Sequence, residues 1–110
     1  MLLPNASRAV ISDAKVREYL LSPSHPIGRF KAVFFISLGF SIDHWELLRD
    51  ALIAIGRTGD AATGQPSPFG QKFEVRAILV GPSGRSAEIV TVCMVPTGQD
   101  IPHFVTAFPE

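Results

Sequence analysis

Ser24-His25-Pro26-Ile27-Gly28-Arg29-Phe30-Lys31-Ala32 puts a histidine in a tight Pro/Gly turn and two cations in the first turn of the helix that should follow. Cations are disfavoured there, because the orphan N–H groups of a helix N-terminus already make it positive. The same N–H groups can receive an anion such as a phosphate. Further along, Glu74, Arg76, Thr91 and Thr106 supply a carboxylate, a guanidinium and two hydroxyls within strand-like stretches. Cleaving RNA to a cyclic phosphate needs little more: a base for the 2′-OH, an acid for the leaving oxygen and a cation near the phosphate. His25 and Glu74 could serve as base or acid, while Lys31, Arg29 and Arg76 could hold the phosphate. A solvated outer sheet face would carry the same threonines, Glu and Arg simply to stabilise strand pairing.

Other chemistry finds less support. His25 beside a proline could be a plain turn residue; His44 follows a helix cap and should face solvent; His103 sits near a turn at a strand start. Cys93, the one cysteine, excludes an internal disulfide and any thiol-based zinc spacing, and its apolar strand context reads as a small buried hydrophobe. There is no HExxH, P-loop, GxSxG or paired-cysteine motif, so no metal site and no cofactor is expected.

Ten acids balance ten bases, which argues against a dedicated duplex-DNA binder or a polybasic membrane protein. Local asymmetry says more: from Tyr19 to Ile42 there is no acid. The N-terminus lacks the apolar run of a signal peptide, and no segment approaches membrane-spanning length. The expected setting is cytoplasmic, with export as part of a larger machine left open.

These residues must be positioned by one domain, since 110 residues with a 46% apolar fraction suit a single core. Arg8–Ile11 reads as a short edge strand or an extended lead-in. Ser12 should cap a first helix with Val16, Tyr19 and Leu20 on one face, stopped by Ser22-Pro23-Ser24-His25-Pro26. A second helix is expected from about Gly28 to Leu38, with Gly39 as C-cap. Its apolar residues spread nearly all round the axis, which predicts burial on most sides and puts Lys31 in an uncommon place. Ser41 should open a third helix through Trp45, Leu48, Leu52 and Ile55, ending near Gly56 or Gly59, with Trp45 in the core. Residues 60–70, with Gly64, Pro66 and Pro68, read as a flexible loop.

Beyond the loop the period changes to two. Phe73, Val75, Ala77 and Leu79 alternate with Lys72, Glu74, Arg76 and Ile78, and turns at Gly81–Gly84 and Thr97–Asp100 separate three strands. The expectation is an α+β domain: about three N-terminal helices (residues 1–59) on one face of a C-terminal antiparallel meander of three to four strands (71–110). With four-residue turns, Phe73 would face Val92 and Val75 would face Val90, with Val105 beside them. Glu74, Thr91 and Thr106 would then line up on the opposite, polar face.

Several elements together resemble an uncharacterised bacterial domain family. They are Leu3-Pro4-Asn5-Ala6, His25-Pro26-x-Gly28-x-x-Lys31-Ala32-x-x-Phe35 with Leu38-Gly39-Phe40, Gly81-Pro82-x-Gly84-Arg85, and Val105-Thr106-Ala107-Phe108. That family comprises small stand-alone proteins and C-terminal cargo domains of large secreted or phage-encoded proteins. Helices followed by an antiparallel sheet is also similar to the barnase, EndoU, colicin and RelE group of RNase toxins. The resemblance implies His25 and Lys31 as site residues, with Thr91 and Thr106 on the sheet. The chain departs from the pattern at Cys93, where an aromatic such as tryptophan is expected.

Two functions follow as expectations. One is a toxin-type domain that cleaves RNA without metal, with Lys31 and Arg76 on the phosphate and His25 and Glu74 moving protons. The other is a non-catalytic interaction module, a homodimer or the partner of a small neutralising, immunity-type protein.

Overall fold

The computed structural model describes residues 1–110. A short 3-10 turn, Ala6–Arg8, precedes α1, in which an α-turn at Asp13–Lys15 runs on as a π-helical segment, Val16–Leu20. Then come α2 (Gly28–Ser37), a 3-10 turn (Ile42–His44), α3 (Trp45–Thr58) and four strands: β1 (Ala61–Ser67), β2 (Gly70–Val80), β3 (Ser86–Pro96) and β4 (His103–Pro109). The strands form one antiparallel sheet in sequence order, with the helices against one face, as an α+β reading requires. No helix is long and apolar enough to cross a membrane.

Local signals act as their chemistry demands. The Ser12 hydroxyl accepts the Lys15 N–H at 3.2 Å and starts α1, whose Val16 and Leu20 are fully buried. Gly39, at φ 99°, ends α2 in the left-handed conformation that favours glycine. In α3, Leu48 and Leu52 enter the core, while Trp45 stays half-buried between the Arg17 and Arg49 guanidiniums. The lead-in at Val10 makes one parallel bridge to His103 and partly covers the outer edge of β4.

Three expectations are corrected. Residues 60–70 are not a loop: Ala61–Ser67 pairs with β2 as an edge strand, from Ala61↔Val75 to Ser67↔Gly70. Its Gly64 and Pro66 are accommodated because the ladder breaks between Thr63 and Pro66, and an edge strand tolerates a missing donor. α2 is not buried on most sides either. Gly28, Ala32 and Phe35 enter the core, whereas Phe30, Val33 and Ile36 face solvent.

The third correction concerns register. The β2–β3 connection holds five residues, Gly81–Arg85, because the Gly81 N–H donates to the Arg85 carbonyl at 2.8 Å and Gly84 turns at φ 87°. Phe73 therefore faces Cys93 and Val75 faces Thr91, one residue away from the four-residue-turn pairing. A one-residue slip turns a whole strand over. Ile89, Thr91 and Cys93 join Phe73 and Val75 in the core, and Val90, Val92 and Met94 turn to the other face, where Val90 is also buried and Val92 and Met94 are half-buried. Val105 does not pair with the valines, because β4 bulges there between the Thr106↔Val92 and Phe104↔Cys93 pairs.

Candidate functional site

The site residues sort themselves around Tyr19. On α1, this side chain is half-buried and its hydroxyl lies 3.2 Å from the Thr106 hydroxyl on edge strand β4. The Lys15 ammonium, one turn earlier on α1, sits 5.3 Å from the ring centroid, and the Lys31 ammonium on α2 sits 5.6 Å from it. The His25 ring meets the Tyr19 ring edge-on, with centroids 5.1 Å apart. Thus Tyr19 brings His25, Lys31 and Thr106 to one place, and Lys15 completes the cluster.

Local folding explains the convergence. His25 Nδ1 accepts the Ile27 N–H at 3.0 Å and the Gly28 N–H at 2.9 Å, so its own ring caps α2. The anion site expected from the bare helix terminus is thereby filled by a neutral ring nitrogen. In the neutral ring that accepts at Nδ1, the proton resides on Nε2. Gly28 then packs α2 directly against α1: a Cβ there would lie 2.0 Å from the Tyr19 carbonyl oxygen. This contact brings Lys31, one turn on, to Tyr19.

A shallow groove of about 360 Å³ opens beside this cluster, lined by Ser12, Ala14, Lys15, Glu18, Tyr19 and His25. The largest influence on the Tyr19 phenol is burial, which opposes ionisation. It is outweighed by the Thr106 hydrogen bond and the Lys31 and Lys15 ammonium groups, which together hold the phenol below its ordinary pKa. A phenol with a lowered pKa, two ammonium groups and an imidazole N–H form a constellation of the kind that can bind a phosphate ester.

The remaining candidates lie elsewhere. Thr91 is buried in the core, where its hydroxyl donates to the Val75 carbonyl at 3.1 Å. Glu74 and Thr106 do share a cross-sheet row, but Val92 stands between them and strand spacing separates them by about 10 Å. Arg76 is engaged on the outer face by Glu110 at 2.6 Å and Glu74 at 3.4 Å. Arg29 is exposed, with its guanidinium 4.9 Å from the Phe30 ring centroid. Of the other histidines, His44 faces solvent and His103 Nε2 lies 3.2 Å from the Gln99 side-chain oxygen.

Tyr19 escapes a sequence reading because an aromatic on the apolar stripe of a helix resembles any core residue. The one available signal is its place at the start of the acid-free segment, four residues after Lys15.

Comparison with solved structures finds the same fold in a chain of the "Contact-dependent growth inhibition toxin - immunity protein complex from Klebsiella pneumoniae 342". The TM-score is 0.71 at 17% identity, over 96% of each chain, which establishes a shared architecture. No curated protein matches the sequence. A family match spans residues 2–110, and by it the chain belongs to the domain of unknown function DUF6883.

Proposed function

We propose that this domain is a toxin-type ribonuclease that cleaves RNA by acid–base chemistry of its own side chains at the Tyr19 groove. The observation that carries the reading is the convergence of Lys15, Lys31 and His25 on a hydrogen-bonded phenol. Likeness of fold to a chain of a toxin–immunity complex supports a role on one side or the other of such a pair. In this reading Lys15 and Lys31 hold the phosphate, and His25 Nε2–H donates to a phosphate oxygen. The Tyr19 phenolate takes the 2′-OH proton, the 2′-oxygen attacks phosphorus, and the 5′-oxygen departs with a proton from water. Thr106 orients the phenol. This reading gives no role to Thr91, which is buried, or to Arg76 and Glu74, which pair with each other and with Glu110 on the outer face.

The test is cleavage of single-stranded RNA by purified protein, with growth inhibition on expression as a second readout. Lys31→Ala and Tyr19→Phe should each lower the rate by about 100-fold or more with folding intact, and Arg76→Ala should leave it unchanged. Full activity in both site variants overturns the proposal. The uncovered apolar face of α2 favours a second reading, an interaction module for a small neutralising protein.

A further inference from the structure

We infer that the outer face of α2 docks an acidic protein partner, one that presents an apolar groove bordered by carboxylates. This gives chemistry and place to the partner in the second reading above, and it stands whether or not the Tyr19 groove cleaves RNA. α2 is anchored along Gly28, Ala32 and Phe35. Its opposite side carries Phe30, Val33 and Ile36 at three-residue spacing, with Ile27 at the helix entry. Their exposures are 70%, 72%, 48% and 62%. Single exposed apolar side chains are ordinary, but successive ones along one ten-residue helix make a continuous ridge. Such spacing is that of a helix laid into a groove.

Charge selects the occupant. Between Tyr19 and Ile42 there is no Asp or Glu, and Arg29 lies beside Phe30 on the exposed side. Arg29 has no ion-pair partner within the chain. An apolar ridge with an unneutralised positive border calls for carboxylates opposite. A second copy docked across a two-fold axis would instead bring a second Arg29, and no carboxylate, to the ridge. A membrane-surface helix would need a polar face rich in Lys and Arg, yet the far side of α2 is buried against the domain.

The test titrates isotope-labelled full-length protein with a synthetic amphipathic Leu/Glu helical peptide, its Leu/Lys counterpart and phosphatidylglycerol vesicles. Sedimentation of the protein alone runs in parallel. The Leu/Glu peptide should perturb the amides around Phe30, Val33 and Ile36 and bind about tenfold or more tightly than the Leu/Lys peptide at low salt. Val33→Glu should abolish that binding without lowering the melting temperature. Failure of the Leu/Glu peptide to bind, equal affinity for both peptides, or binding that survives Val33→Glu overturns the inference. So does a dimer that Val33→Glu dissolves, which would assign the face to a second copy, or tighter binding to the vesicles. Val33 lies outside the groove, so RNA cleavage by this variant reports on the groove alone.

Discussion

His25 takes a local role in the fold that its sequence neighbourhood does not spell out. Its neighbourhood in the sequence suggests a helix terminus open to an anion, and the folded ring is itself the acceptor for two of the terminal N–H groups. The ring thereby becomes a cap, and its chemistry shifts from proton acceptor at Nε2 to hydrogen-bond donor at that atom. His25→Ala should therefore destabilise the fold by about 1 kcal/mol, as loss of a helix cap does, and His25→Asn should recover most of it. Urea denaturation measures both; an equal loss in the two variants would contradict the capping role. Lys31 lies on an apolar row by its spacing, which requires its ammonium to reach something polar. That something is Tyr19, whose role needs three elements to meet and so leaves little local trace.

At the scale of elements, α2 is held at both ends by glycines that permit close approach. At the N-terminal end Gly28 meets the backbone of α1. At the C-terminal end the Leu38 carbonyl accepts the Ser83 N–H at 3.2 Å and the Ser83 hydroxyl at 2.8 Å, locking α2 to the β2–β3 turn. A Cβ on Gly39 would lie 2.6 Å from the Ser83 nitrogen, in a residue already at φ 99°. Gly39→Ala should cost about 2 kcal/mol, combining left-handed strain with overpacking, and Ser83→Ala about 1 kcal/mol. Chemical denaturation checks both, and a neutral Gly39→Ala would contradict the lock. Helix-capping glycine and turn glycines are each readable locally, but that they touch is a tertiary fact. The register of β3 is hidden for a related reason. Ile89, Val90, Thr91, Val92, Cys93 and Met94 offer an acceptable apolar face in either orientation, so one turn residue, Arg85, decides which is buried.

For the molecule as a whole, Cys93 is a reporter of global opening. It lies in the core between Phe73 and Phe104 on the neighbouring strands, and burial pushes its thiol from the ordinary 9.0 up to about 11. At pH 8 a disulfide reagent should react with it only as fast as the domain unfolds. Between pH 9 and 11 the unfolded chain releases this proton while the folded chain keeps it, so stability falls as pH rises. The linked loss is on the order of 3 kcal/mol at most. Cys93→Ala should flatten that part of the stability profile, and rapid labelling of the native protein at pH 8 would contradict the burial.

What the sequence by itself determined is the three helices, the three C-terminal strands and their order, because capping residues, prolines and hydrophobic period act over a few residues. It also determined the acid-free, histidine- and lysine-bearing segment in which half the candidate site resides. The tertiary structure alone decided which of two apolar faces of β3 is inside, that an edge strand forms from a Gly/Pro-rich stretch, and that α2 leaves an apolar ridge in solvent. It also decided that Tyr19 stands at the centre of the cations. The physical reason is the same in each case: these outcomes depend on contacts between segments distant in the chain, where local preference is nearly balanced and packing breaks the tie.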